Sequence, residues 1–553
     1  MEENNKNLII ALTLMAVVWL GYNFLFPAQP APPVTATTEV VTPPTTVGLS
    51  FKADEPAALP VTASLTNAVN RHGVENTDHL TDRIETTSTE ERMLLVETDL
   101  YRLQLSSVGA VVKSIELKKY RQEADSDAPF TVINSPSLQL ATLRSSGTEE
   151  FSLSAQTPFS LSTTASSLNL SRNDSQTVVF TARTPSGALL EKSYTFYADR
   201  YTIDLTQQLT NTSLKPLRGQ SSLTLVELWD DSDKGAMYEF VGPMTLVGEE
   251  VETVAPKDLK KGSKSFIAPV WSGFETKYFM SVAVPLNSAA EQVKLELTAQ
   301  SVENTFISPL MTLAPQETRK LDYLLYFGPR DPDQLQIVGH RLVESIDYGF
   351  FAIIAEPLVH ILKFFYGYIG NYGVSIILLT ILIKALFWPL THKSYASMKA
   401  MQQLQPEITK LKEKYKNDRE KMNKAVMEMY KEKKVNPVGG CLPMLVQIPV
   451  FFALYRALLG TIDLRHASFG LWLTDLSAKD PYYITPVVMG ITMFIQQKMS
   501  PSTMDPTQAK IFMFMPIIFT FLFLNFPSGL VIYWLVNNVL TIAQQYFINK
   551  KPS

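Results

Sequence analysis

The stretch GVSIILLTILIKALFWPL, residues 373–390, decides the class of this protein. Only Ser375, Thr380 and Lys384 interrupt its apolar run. About 18 residues at roughly 1.5 Å each reach about 27 Å, close to the thickness of the hydrocarbon core of a bilayer. Four further apolar segments follow: Val438–Ile462, Thr485–Met499, Ile511–Phe526 and Leu530–Ile548. Together they predict a transmembrane core of five helices. The third of the five is short, which suits a tilted or thinned local environment.

Lys384 is the most informative residue of the opening stretch. A cation at the centre of a spanning helix costs about 2.5–3.5 kcal/mol on the insertion scale. Such a charge is usually kept for a pathway, a partner or a wet cavity. The alternative is snorkelling, because a lysine six residues before Leu390 can reach the cytoplasmic headgroups. Thr380, four residues earlier, shares its helix face. Gln447 lies in the next span, and Thr492 with Gln496 and Asn537 with Thr541 share faces at i and i+4. Uncharged polar groups in spans are often interhelical glue. Grouped around Lys384 they are equally compatible with a polar recess. Pro443, Pro449 and Pro516 fall inside spans and are expected to bend them and leave gaps.

Positive charge sets the orientation. Thr391–Pro437 carries twelve Lys and Arg against six acids. Asp463–Tyr483 carries only Arg465 and Lys479 against Asp463, Asp475 and Asp480. Lys550 and Lys551 end up on the side of the basic segment, so that segment and both termini are expected to be cytoplasmic. Residues 391–437 also show helical spacing. Met401, Leu404, Ile408, Leu411 and Tyr415 recur at 3-4-3-4, and Met422, Val426 and Met429 follow at 4-3. This predicts an antiparallel coiled-coil hairpin, with Pro406 perturbing its first helix and Asn417 and Glu420 resembling a capping box. A solvated charged hairpin with no partner fits the same pattern.

Upstream, residues 341–372 contain an apolar stripe opened by Pro357: Leu358, Ile361, Leu362, Phe365 and Ile369. His360 and Lys363 fall on its other side. This suits a helix lying in the membrane interface. Residues 61–340 are assigned to a β domain, most evident from Glu90 to Gly328. There Tyr101, Leu103 and Leu105 alternate with Arg102 and Gln104, and Tyr201, Ile203 and Leu205 alternate with Thr202, Asp204 and Thr206. Thr184-Pro185-Ser186-Gly187 and Asn211-Thr212 mark turns. So long a run of strands predicts a sandwich of antiparallel sheets. Residues 27–60 are a Pro/Thr-rich linker that cannot bury enough apolar surface to fold. Residues 1–26 form an apolar anchor helix, and a cleaved secretory signal is the competing reading.

The chain has 553 residues, a net charge of −4 and one cysteine, Cys441. No intrachain disulfide can form. The six histidines make no metal-spaced pair, and no HExxH, GxSxG or P-loop is present. The five spans hold no carboxylate for a proton relay. No catalytic residue, cofactor or metal is therefore expected, and an enzyme is not.

Four stretches carry a resemblance: VNPVGGCLPMLVQIPVFFALY (Val435–Tyr455), DPYYITPVVMGITMF (Asp480–Phe494), QKMSP (Gln497–Pro501) and FPSGLVIYW (Phe526–Trp534). They are long and specific, and they resemble the YidC family of membrane protein insertases, Gram-negative type. The resemblance implies an α+β membrane protein with an N-terminal anchor helix, a large periplasmic antiparallel β-supersandwich, and a five-helix transmembrane core with a cytoplasmic hairpin. It implies a hydrophilic, positively charged groove whose usual arginine is replaced here by Lys384, which lacks the bidentate fork. Thr380, Gln447 and Tyr533 match groove positions, and Trp534 falls where the family often has an aromatic. Gln496 and Asn537 join them as polar groups of the spans. The implied partners are nascent membrane proteins, the Sec translocon, membrane lipids and, weakly, the ribosome, since the tail Lys550–Ser553 is short. No specific nucleic acid is implied. The expected location is the bacterial inner membrane, multi-pass. A channel or secondary transporter is the runner-up, against which no inverted repeat is found. A third reading, an anchored carbohydrate-active enzyme, would place chemistry in the β domain.

Overall fold

The computed structural model describes residues 90–229, 240–416, 418–433, 435, 442–499 and 506–550. The anchor and linker expected at 1–60 lie outside them, as do residues 61–89 and Asn417.

Alternating sequence becomes strand wherever it occurs in the β domain. Tyr101, Leu103 and Leu105 are buried while Arg102 and Gln104 are exposed, and Ile203 and Leu205 are buried on the facing layer. The largest sheet has nine strands among the described residues. Its spine is Thr318–Pro329, flanked by Thr202–Asn211 on one side and Phe279–Leu286 on the other. Two five-stranded sheets and a two-stranded one, Leu217–Gly219 with Met311–Leu313, accompany it among the described residues. Among the described residues pairing is antiparallel with one exception. Met93–Glu97 pairs parallel to Ser167–Asn169, Val96 opposite Leu168. An all-antiparallel domain was expected, but alternation along a strand does not specify the direction of its neighbour. One contiguous core contains Trp271, Tyr194, Phe180 and Phe306. Lys192 is fully buried within this domain, donating to the carbonyls of Ala110 and Leu143.

The chain leaves the sandwich through helix α1, Pro332–Val338, capped by Asp331, whose carboxylate accepts from Asp333 N. Helix α2 follows at Ala352–Ile369. It begins five residues before the expected Pro357, which sits inside it. The amide that proline lacks would have bonded Ile353 O, one lost bond in an otherwise continuous helix. Leu358 and Leu362 of the predicted stripe are buried. Lys363 is not on an open face. Its Nζ lies 2.9 Å from Asp331, 2.6 Å from Asp333 and 3.5 Å from Asp463.

Helix α3 runs unbroken from Tyr372 to Lys414, 43 residues, capped by Asn371. Span and hairpin were expected as separate helices meeting near Leu390. Pro389 and Pro406 both lie inside α3 instead. Each removes one bond, and the remaining ladder and the buried Thr391, Ser394, Met401 and Leu404 hold the helix together. Helix α4, Arg419–Glu432, returns alongside, capped by Asp418 rather than the neighbouring Asn417. Leu404 and Ile408 of α3 meet Met429 of α4, so the 3-4 stripes do face each other.

Four more helices follow, α5 (Leu442–Gly460), α6 (Ile484–Met499), α7 (Pro506–Phe523) and α8 (Ser528–Lys550): α8 and, more lightly, α5 pack against α3, α5 also packs against α2, α6 packs against α8, and α7 against α6. Close approach uses glycine. A Cβ on Gly373 would fall 2.0 Å from the Phe469 ring, and one on Gly490 1.9 Å from Thr520 Oγ1. The outer faces are apolar and open: Ile491, Phe494, Phe514, Ile517 and Phe521 are all exposed. Water would not tolerate such a surface, but lipid does.

The loop from α5 to α6 is fastened to the sandwich. Arg465 donates to Gln122 O at 3.0 Å. Its guanidinium lies 5.0 Å from the Phe130 ring and 5.4 Å from that of Phe279, two rings stacked at 3.9 Å.

Candidate functional site

Lys384 lines a small recess between α3, α5 and α8. Ile383, Phe387, Leu390 and Thr391 line it from α3, Val446, Gln447 and Val450 from α5, and Asn537 from α8. The polar groups are linked. Lys384 Nζ donates to Thr541 Oγ1 at 2.8 Å, and Thr541 Oγ1 donates to Asn537 O at 2.6 Å. Gln447 Nε2 donates to Asn537 Oδ1 at 3.1 Å, and Gln447 is also hydrogen-bonded to the Tyr533 side chain. Higher up, Gln544 donates to Thr391 Oγ1 at 2.7 Å. Among the described residues no carboxylate pairs with Lys384. Its one partner there is a neutral hydroxyl, which leaves ammonium protons to face the recess. The wall is otherwise apolar, so the positive charge sits in a medium where attraction to an anion is stronger than in water.

Helical spacing explains the gathering. Asn537 and Thr541, one turn apart, present one face of α8. Lys384, Phe387 and Thr391 do the same on α3.

Not every expected residue joins. Thr380 is buried, and its hydroxyl donates to Ile376 O at 2.6 Å, so it does not line the recess. An i, i+4 relation to Lys384 gave the right face, but that face continues beneath packed neighbours. Trp534 belongs to an aromatic cluster with Phe451, at 4.8 Å edge-on, and Phe523, at 5.3 Å. Tyr533 is buried behind Gln447. Gln496 lies on α6 outside the lining. Thr541, paired with Asn537 by its spacing, is the hydroxyl that meets Lys384, while the lining residue Thr391 and its partner Gln544 were missed. The apolar lining carried no signal of its own.

Residues 364–553 match the family described as 60Kd inner membrane protein, and residues 94–361 match the YidC periplasmic domain. The membrane protein insertase YidC of Geotalea daltonii is 43% identical over 554 residues, covering 99% of both chains. The chain belongs to the YidC family of membrane protein insertases. Its relative in Geobacter sulfurreducens is 47% identical over 463 residues, covering 83% of this chain and 86% of that one. A crystal structure described as an active YidC insertase with the first transmembrane domain resolved aligns with 83% of this chain and 93% of its own, at 16% identity and a TM-score of 0.36. Membership makes this an inner-membrane protein with a periplasmic sandwich domain, and an insertase rather than an enzyme.

Proposed function

We propose that the recess around Lys384 is where the insertase receives the polar part of a client segment. The supporting observation is the half-buried ammonium, opposed by Thr541 alone among the described residues. A helix of about 20 apolar residues at −0.3 to −0.6 kcal/mol each gains roughly 6–12 kcal/mol on leaving water for lipid. Insertion therefore needs no nucleotide. The obstacle is the barrier to moving a polar tail across the core. A hydrated recess shortens the dry path, and Lys384 attracts acidic residues of the tail. Lys384 acts as a charge, not as a proton donor. Gln447 and Asn537 offer hydrogen bonds to a passing backbone.

In this reading α3, α5, α6, α7 and α8 each cross the membrane and α2 lies along its periplasmic face. The α5–α6 loop faces the periplasm, because Arg465 ties it to the periplasmic sandwich. The basic α3–α4 hairpin and both termini are then cytoplasmic. Clients arrive as nascent chains, alone or from the Sec translocon. Ribosome contact falls to the hairpin, given the short tail.

The test is site-specific crosslinking of a stalled nascent client. Positions 384 and 447 should label it, and position 380, packed away, should not. Labelling at 380 with silence at 384 and 447 would remove the basis of the reading.

A further inference from the structure

Pro389 lies inside α3, a little past Lys384, and the helix runs on beyond it to Lys414. The amide that Pro389 lacks would have bonded Ala385 O, so the ladder is open there and the helix can bend. Thr391, two residues on, turns its hydroxyl back to the carbonyls of Phe387 at 3.0 Å and Trp388 at 3.1 Å. A hydroxyl bonded back in this way favours a bend rather than stiffening the helix. Side chains of α8 bracket this break. Before it, Lys384 donates to Thr541 at 2.8 Å. After it, Gln544 donates to Thr391 Oγ1 at 2.7 Å, and Gln545 is hydrogen-bonded to the Tyr395 side chain. Thr541, Gln544 and Gln545 are all buried, so water does not compete for these bonds. Positions 541, 544 and 545 share one face of α8, as 384, 391 and 395 share one face of α3. Further out, Leu404 and Ile408 pack on Met429 of α4, which travels with α3 and gives no hold on the bundle.

We propose that Gln544 and Gln545 are positioning residues of the insertase. They splint α3 across its open rung at Pro389 and fix the angle at which the hairpin leaves the bundle. The same grip holds the end of the recess that Thr391 walls. The consequence for clients rests on the recess being their site, as given under Proposed function; the splint itself does not.

The experiment uses the full chain with Cys441→Ser and nitroxides on introduced cysteines, in vesicles of phosphatidylethanolamine and phosphatidylglycerol. One label pair joins the exposed position 402, between the two prolines of α3, to the exposed position 498 on α6. The control pair joins the exposed position 381, before Pro389, to 498. Double electron–electron resonance should give narrow distance distributions for both pairs in the parent chain. Gln544→Leu combined with Gln545→Leu should broaden the 402–498 distribution and leave 381–498 narrow. Thr391→Val, which removes one of the two bonds at constant shape, should do the same to a lesser degree, and it carries the test if the double variant does not fold. Thr391→Ser, which keeps the hydroxyl, should restore the narrow distribution. Insertion of a client by Gln544→Leu should fall about threefold, the scale of one interhelical hydrogen bond in a bilayer. An unchanged 402–498 distribution in the double variant would overturn the proposal. So would broadening of both pairs, which would make these bonds ordinary packing, and so would full insertion by a chain whose hairpin has been loosened. Client crosslinks at 384 and 447 are read separately, so the two readings fail separately.

Discussion

Lys384 and Thr541 meet at 2.8 Å, an ammonium held by a hydroxyl that has already given its own proton to the Asn537 carbonyl. The bond steadies the lysine without neutralising it. Lys384→Ala should lower insertion of clients with acidic translocated tails about tenfold, equivalent to about 1.4 kcal/mol of lost attraction. Clients with neutral tails should be little affected. Lys384→Arg should keep activity, and Thr541→Val should show a smaller loss than the alanine. Protease protection of a radiolabelled client in proteoliposomes measures each. Full insertion of every acidic client by Lys384→Ala would end the electrostatic account.

The fastening of the α5–α6 loop should be separable from the recess. Arg465→Ala removes the bond to Gln122 and the contact with the Phe130 and Phe279 rings. A cation over aromatic faces is worth about 0.5–2 kcal/mol. Faster hydrogen exchange in residues 462–476 is expected, with exchange around Gln447 unchanged. Asp463→Asn, which weakens the Lys363 cluster, should act in the same direction.

Lys192 gives the sandwich a pH dependence. Burial with no acid beside it drives its ammonium down to about 7, from an ordinary 10.5. Between those values the unfolded chain holds the proton and the folded chain has released it. Stability therefore rises with pH through this window and falls as pH drops towards 7. Protection factors of strands near Ala110 and Leu143, measured at several pH values between about 6.5 and 9 in the full chain, should show the rise. Lys192→Met should flatten it. An equal slope in both proteins would assign the effect elsewhere.

The hairpin is held by few side chains. Ile408→Asp should part α3 from α4, since it places a charge in the cluster of Leu404, Ile408 and Met429. Spin labels on the exposed faces of the two helices should show a broadened distance distribution. Ile408→Leu should not.

Strands, apolar helices and the stripes at 401–429 were legible because each follows a simple pattern. Leu103 and Leu105 alternate, and Leu404 and Ile408 are one turn apart. What the sequence hid was of two kinds. Where elements join, proline misled: Pro357, read as the start of a helix, lies inside α2, because the rest of the helix carries the lost bond. Where side chains face inward, spacing named a face but not its depth. Lys384 and Asn537 line the recess, while Thr380 on the same helix is sealed. Lys363 looked like a solvent-side cation, and only the return of the chain at Asp463 shows it among three acids. Contacts across such distances have no local pattern.

The unbroken helix α3 makes the hairpin and the recess parts of one rod. From Lys384 to Lys414 is about 45 Å along the axis, so a swing of about 10° at the membrane would carry the far end roughly 8 Å. Pro389 and Pro406 interrupt its hydrogen-bond ladder, one a little beyond Lys384 and one out in the hairpin. Whatever grips the outer end of that lever works on the lysine at its pivot.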